Sequence, residues 1–359
     1  MSERRLSRQV NIGRVKVGGD APVSVQTMTK TDTRDIDATV SQIREIMLLG
    51  CDIIRLAVVD EAAAEALKEI KRQVDIPLIA DIHFDHKLAL ASLRAGVDGL
   101  RINPGNIGER SQIRQVVDAA RDRKVPIRIG VNSGSLEKDI ESEFGNTAEA
   151  LVRSAMRHVE ILESMDYHEI KISVKSSDVQ RTIEAYRLLS LRCDYPLHLG
   201  VTEAGTFMAG TVRSCVGMGV LLESGIGDTI RVSLSDTPVN EVRVGLELLR
   251  SLGLKERGAS VVSCPTCGRT EVDVVSVARE LEAVLESYFC GKPSVRRPLV
   301  AVMGCMVNGP GEARGADIAI AGGKGKFVLY VEGRSVGTVP ESGAVEATFR
   351  AVRDWCERA

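Results

Sequence analysis

Short apolar runs recur along the chain, each followed by a stretch with helical spacing. The runs cover 23–29, 53–58, 76–82, 99–105, 127–132, 170–176, 197–204 and 229–235, most of them about 23–32 residues apart, the length of one strand, one helix and two loops. The helical stretches carry start and stop signals. Val40, Ile43 and Met47 make an apolar stripe after Asp37, and Gly50 ends it. Ser177-Asp178-Val179-Gln180 reads as a capping box ahead of Val179, Ile183, Tyr186 and Leu189. Eight successive βα units predict an α/β fold, a TIM (β/α)8 barrel closing near residue 255. An open doubly wound sheet seldom needs eight consecutive units. The fifth unit is longer, with a polar loop over 133–145 that starts Ser133-Gly134 and ends at Gly145, at the position where barrel loops form active sites. A lid and a merely solvated connection both fit it.

The pattern changes near residue 256. The junction Lys255-Glu256-Arg257-Gly258 leads into Ser260-Val261-Val262, a helix over 272–288, strands at 299–303, 317–321 and 326–331, and a final helix. The chain thus divides into a barrel domain, 1–255, and a small α/β domain, 256–359.

Barrel strands buried on both faces are nearly continuous apolar runs. Here polar residues interrupt them at alternate positions: Asp81 and His83; Arg101 and Asn103; Arg128 and Asn132; Lys171, Ser173 and Lys175; Arg231 and Ser233. Side chains alternate faces along a strand, so the polar sets point into the barrel, and those near the strand ends line its mouth. Arg55, Arg101, Arg128, Lys175 and Arg231 then surround one cavity. Their mutual repulsion calls for a bound anion, and the guanidinium fork favours phosphate. Pairing of each charge with a local carboxylate such as Asp81 or Glu203 is the simpler reading, but too few acids fall on those strand ends. Lys171 lies deeper and reads as structural. Glu203, expected to end the seventh strand, fits a proton donor or a salt-bridge partner. His83 and His198 are hydrogen-bond candidates; His86, His158 and His168 look peripheral.

The eight cysteines among 359 residues lack short disulfide-type spacing, which points to a reducing cytoplasm. Cys51, Cys193, Cys215 and Cys356 read as inert packing residues. Ser263-Cys264-Pro265-Thr266-Cys267 and Gly304-Cys305-Met306-Val307-Asn308-Gly309-Pro310-Gly311-Glu312 are different, being turn-rich segments suited to ligand loops. We read them as holding an iron–sulfur cluster on Cys264, Cys267 and Cys305, with Glu312 as fourth ligand and Cys290 as its rival. Spacing alone leaves a structural zinc site open, and with it a zinc-stapled barrel hydrolase or lyase acting on a phosphorylated metabolite. Radical chemistry driven by S-adenosylmethionine is disfavoured, because its C-x3-C-x-x-C loop is absent. A net charge of −2 with 3% aromatics gives no bulk case for nucleic acid or membrane surfaces. No apolar run of about 18 residues predicts a membrane span, and no secretory signal is expected at the start.

Several stretches resemble the 4-hydroxy-3-methylbut-2-enyl diphosphate synthases, iron–sulfur reductases of non-mevalonate isoprenoid biosynthesis. They are Ala80-Asp81-Ile82-His83-Phe84-Asp85, Leu100-Arg101-Ile102-Asn103-Pro104-Gly105-Asn106-Ile107-Gly108, Arg128-Ile129-Gly130-Val131-Asn132, Gly227-Asp228-Thr229-Ile230-Arg231-Val232-Ser233 and both cysteine segments. The similarity spans essentially the whole chain. Lys30 stands where asparagine is more usual, Thr206 replaces a small residue, and the large insertion of plant-type members is missing. The resemblance implies a [4Fe-4S] cluster on Cys264, Cys267, Cys305 and Glu312. It implies that Arg55, Asp81, His83, Arg101, Asn103, Arg128, Asn132, Lys175, Arg231 and Ser233 hold 2-C-methyl-D-erythritol 2,4-cyclodiphosphate, with Glu203 and Glu312 catalytic. It further implies a homodimer in which the cluster domain of one chain caps the barrel of the other, and a flavodoxin or ferredoxin as electron donor.

Overall fold

The computed structural model describes residues 3–255, 260–292, 295–307 and 309–358. Glu256, Arg257 and Gly258 of the junction, and Asn308 of the second cysteine segment, lie outside the described residues. The chain forms two compact units, Met1–Lys255 and Glu256–Ala359.

The first unit opens with a hairpin, β1 (Val10–Ile12) and β2 (Val15–Val17), followed by the barrel strands. These are β3 (Ser24–Met28), β4 (Ile53–Ala57), β5 (Leu78–Asp81), β6 (Gly99–Ile102), β7 (Ile127–Asn132), β8 (Ile170–Lys175), β9 (His198–Leu199) and β10 (Thr229–Ile230). All eight pair in parallel in the order β8-β7-β6-β5-β4-β3-β10-β9, and a bridge between Ile172 and Leu197 closes the ring. The outward apolar residues, among them Ile54, Leu56, Leu100, Ile102 and Ile129, join the helices in one core. That burial is the main force holding strand to helix, at about 25 cal/mol per Å² of apolar surface. The hairpin was not anticipated, since three-residue strands are too short to show a period. Its Val10, Ile12 and Val17 pack with Ile53 and Ile79 near the strand starts and close the floor, so the opposite end carries the mouth.

The seventh and eighth strands are shorter than their apolar runs. Glu203 (φ 52°) and Gly205 (φ 116°) adopt left-handed conformations that no strand continues. Glu203 therefore lies in a loop four residues past β9. The 133–145 connection also differs from a plain loop, since it contains a short 3-10 turn, Ser133–Ser135, and a helix, Lys138–Phe144. The helix Ile36–Leu48 ends just before Gly50 (φ 93°), as its punctuation implied. The helix Val179–Arg192 is capped by Asp178, whose side chain accepts from Arg181 N at 2.7 Å, one residue later than the capping-box reading.

The second unit is a five-stranded sheet of β11 (Ser260–Ser263), β12 (Leu299–Met303), β13 (Ile318–Gly323), β14 (Lys326–Val331) and β15 (Arg334–Pro340) in that order. The first three are parallel, and β14 and β15 turn back antiparallel. Helix Val274–Phe289 buries Leu281 with Val302, Ile320 and Phe327 of the sheet, and its Leu285 with Val352 and Trp355 of helix Ala344–Arg358 against Val300 and Ile318. β15 escaped the sequence reading because it is largely exposed and has no alternating apolar face.

Candidate active site

Parallel register puts four inward residues in one row across adjacent strands: Asp81 beside Arg101, Arg101 beside Arg128, and Arg128 beside Lys171. Arg55 faces the same space from β4. Asp81 Oδ2 stands 3.6 Å from Arg55 Nε, and its Oδ1 stands 3.4 Å from Arg101 Nη1 and 3.7 Å from His83 Nε2. Burial alone would raise the Asp81 carboxyl, but Arg55, His83 and Arg101 together hold it well below the usual carboxylate range. Arg101 Nη1 donates to His83 Nε2 at 2.9 Å and its Nη2 to Gly130 O at 2.8 Å, while Gly130 N donates to Asn103 Oδ1 at 2.9 Å. A Cβ at Gly130 would sit 2.5 Å from Arg101 Nε, so only glycine leaves room for the guanidinium.

Arg128 is buried and donates from Nη1 to Ser173 Oγ at 2.6 Å. Its Nε and Nη2, with Nε of Arg101 and of Arg231, have no hydrogen-bond partner among the described residues. Burial first, then repulsion from Arg55 and Arg101, pushes the Arg128 guanidinium well below its ordinary value. Lys175 is buried and is likewise lowered, by burial and then by Arg128 and Arg231. Arg231 is brought down to about 10 by burial and by Arg55, so it stays charged at neutral pH.

Arg231 meets a carboxylate that the sequence reading missed. Glu241, 1% exposed on the helix Pro238–Ser251, stands 3.5 Å from Arg231 Nη2 and 3.3 Å from Lys30 Nζ. It also accepts from Thr27 Oγ1 at 2.7 Å and from Leu234 N at 3.1 Å. Its signal was an acid placed on the buried stripe of a helix with Gly245 and Leu248. Six basic side chains, Arg55, Arg101, Arg128, Lys171, Lys175 and Arg231, therefore face Asp81 and Glu241, and Glu241 is shared with Lys30. Arg55 and Arg101 share Asp81, Arg231 has Glu241, and Arg128 has only a hydroxyl.

At the mouth, His83, Arg101, Asn103, Asn132 and Glu203 line a cavity of about 470 Å³ together with Asn106 and Ser133. Arg128, Lys175, Arg231 and Ser233 do not line it; the first three are inside the barrel, and Ser233 is half-buried just past β10. His198 is buried with Nδ1 2.6 Å from Thr229 Oγ1. Lys171 is buried too, and its Nζ has no hydrogen-bond partner among the described residues.

In the second unit, Cys264 and Cys305 follow the C-terminal ends of the parallel strands β11 and β12. Cys264 N donates to Val302 O at 3.1 Å, and Gly304 N donates to Cys264 Sγ at 3.2 Å. Thr266 (φ 62°) turns the chain to Cys267, whose N–H donates to Thr270 Oγ1 at 3.0 Å. Gly309 N donates to Cys305 O at 3.1 Å and starts the short helix Gly309–Ala313, which carries the exposed Glu312. Among the described residues no three of these side chains are drawn to metal-holding distance. The donor set nevertheless fits an iron–sulfur cluster: three thiols on irregular segments and a carboxylate on the short helix after Cys305, with a backbone N–H already aimed at one sulfur. Cys290 follows the helix Val274–Phe289, which leads from the β11 end back to the start of β12. Sixteen helical residues span about 24 Å, so Cys290 stands at the other end of the sheet. Burial raises the thiol of Cys51 to about 12 and also raises those of Cys193, Cys215 and Cys356, in keeping with inert packing.

Two family models match, the GcpE TIM-barrel domain over residues 7–246 and the GcpE protein C-terminal domain over 260–354. The chain belongs to the GcpE family. A relative from Geobacter sulfurreducens is 57% identical over 347 residues, 96% of this GcpE chain and 97% of that protein. One from Thermodesulfovibrio yellowstonii is 53% identical over 355 residues, 98% of this chain and all of that protein. Both are named 4-hydroxy-3-methylbut-2-en-1-yl diphosphate synthase (flavodoxin), the family the sequence resembled. Among solved structures, a type I 3-dehydroquinate dehydratase from Clostridium difficile covers 68% of the GcpE chain and 98% of its own at 15% identity and a TM-score of 0.50, a likeness of fold alone.

Proposed function

We propose that the protein catalyses the reductive ring opening and dehydroxylation of 2-C-methyl-D-erythritol 2,4-cyclodiphosphate to (E)-4-hydroxy-3-methylbut-2-enyl diphosphate. Two electrons and one proton enter, and water leaves. A [4Fe-4S] cluster would be held by Cys264, Cys267, Cys305 and Glu312, and flavodoxin is the donor we favour from the relatives' name. When bound, such a cluster supplies single electrons at low potential. The observation that carries the reading is the excess of buried basic side chains over carboxylates in the barrel, with guanidinium donors on Arg101, Arg128 and Arg231 that lack hydrogen-bond partners among the described residues. A diphosphate offers the charge and the acceptors they need.

The chain's own residues then divide the work. Arg55, Arg101, Arg128, Lys175 and Arg231 hold the diphosphate and stabilise charge on the oxygen released as the ring opens. Asp81 is kept ionised, so it orients Arg55, Arg101 and His83 rather than donating a proton. Glu203, exposed at the mouth, is the acid we assign to the departing hydroxyl. Asn103 and Asn132 supply neutral hydrogen bonds around the sugar-like carbons.

Anaerobically purified protein given the cyclic diphosphate and a chemical reductant should form the linear product and show broad visible absorption. A colourless, zinc-containing protein without turnover would overturn the assignment. Glu312→Cys should keep the colour yet lose most turnover, because a carboxylate is harder and more displaceable than thiolate. Full activity in that variant would remove Glu312 from its role.

We further propose a homodimer in a reducing cytoplasm. Among the described residues no helix is long and apolar enough to cross a membrane. Met208, Val212, Val216 and Val220 form a stripe at four-residue spacing, exposed by 73%, 54%, 47% and 37%. Arg213 is the only basic residue of their helix, Phe207–Glu223, and it turns away to donate to Ala204 O at 2.8 Å. An uncharged stripe can meet its own copy without repulsion. Val216→Glu is expected to halve the mass seen by light scattering, to the 38.8 kDa of one chain. Unmutated protein already at that mass would rule the dimer out.

A further inference from the structure

His158 looked peripheral in sequence, yet it is 2% exposed and joins two loops of the barrel mouth. Its Nδ1 accepts from Gly105 N at 3.1 Å. That fixes the proton of the neutral ring on Nε2, which stands 3.2 Å from Glu137 Oε1. Glu137 Oε2 in turn accepts from Ser154 Oγ at 2.6 Å, one helical turn before His158 on Ala148–Glu163. Burial alone would raise the Glu137 carboxyl, but His158 and Ser154 bring it down to about 2, so it is ionised throughout the working range. A Cβ on Gly105 would lie 2.9 Å from His158 Cε1, so this close approach requires glycine.

The two tied segments are those that carry site residues. Gly105 lies between Asn103 and Asn106, and Glu137 follows Asn132 and Ser133; all four of these polar residues line the mouth cavity. We propose that His158 is a positioning residue that holds the loops after β6 and β7 in register, so that Asn103 and Asn132 reach substrate together. The 133–145 connection is then a tethered wall of the site, pinned also by Arg157 to Asp139 at 2.7 Å, and not a free lid. The inference rests on the substrate reading above for its kinetic arm only.

In full-length protein, His158→Phe is expected to raise KM for the cyclic diphosphate about tenfold or more with kcat changed less than about twofold, because loops that merely hold substrate contribute binding equally before and at the transition state. His158→Asn keeps an acceptor near the place of Nδ1 but has nothing to reach Glu137, so it should hold 103–108 as in the unmutated chain and leave 133–137 loose. Without any ligand, amide exchange should speed up in both 103–108 and 133–137 of the phenylalanine variant. An unchanged KM beside a lowered Tm, or faster exchange in only one loop of the phenylalanine variant, or faster exchange of 103–108 in the asparagine variant, would each make His158 a packing residue and overturn the proposal. If unmutated protein fails to turn over the cyclic diphosphate, the substrate reading falls and the exchange comparison still decides the tether.

Discussion

Arg128→Met is expected to cut kcat/KM for the cyclic diphosphate by a large factor while the ligand-free protein becomes more stable. Removing one partner of a buried charged hydrogen-bonded pair costs about 2–5 kcal/mol, roughly thirtyfold to several thousandfold in affinity. Among the described residues Arg128 is the barrel arginine with no carboxylate of its own, and its Nε and Nη2 lack hydrogen-bond partners, so an anion has most to gain there. The same isolation makes it a burden in the empty barrel. Burial and the charges of Arg55 and Arg101 all oppose its ionised form, and a well-packed apolar replacement of a buried charge is often neutral or stabilising by about 1–4 kcal/mol. The bond to Ser173 is lost, which offsets part of that gain. Thermal melts should show the variant above the unmutated chain without ligand and below it with saturating pyrophosphate, since only binding to the folded form stabilises. A variant that melts lower without ligand would mean that Arg128 is locally compensated, and the case for a buried anion would lose its main support.

Cys305→Ala should yield a colourless protein without iron or sulfide, with turnover reduced at least about a thousandfold, a small part of typical enzymatic acceleration. Far-UV circular dichroism should change little, because the barrel and the sheet of the second unit each keep a core in which Cys305 takes no part. Cys290→Ala is the matched control and should keep iron, colour and rate. Its place at the far end of the sheet, against Cys264 and Cys305 after adjacent parallel strands, is the physical ground for the contrast. Iron retained by the Cys305 variant but lost from the Cys290 variant would reverse the ligand set.

Much of the barrel was legible because each strand is buried on both faces. Its apolar run is then continuous except where an inward polar side chain is needed, and a period of two places Arg101, Arg128 and Lys175 on one side without further information. The hairpin β1–β2 and the edge strand β15 were not legible, one for brevity and one for exposure. The helix Lys138–Phe144 was read as loop because four of its seven residues are charged and it buries only Ile140. Glu203 was misplaced at a strand end because a left-handed turn at a non-glycine residue leaves no composition mark. Glu241 and His158 were passed over for another reason. Each acts on residues that are remote in the chain, Arg231 with Thr27 and Gly105 with Glu137.

By itself the sequence determined the count and order of the βα units, the side of each strand on which charge falls, and the turn chemistry of the cysteine segments. These are local properties, set by the alternation of strands, the periodicity of helices and the preferences of glycine and proline. Only the tertiary structure decided which cations share a carboxylate, which one is left with a hydroxyl, and which helix ties two loops of the mouth. Those outcomes depend on closing a ring of eight strands, and distances across a closed ring are not written in any single segment of the chain.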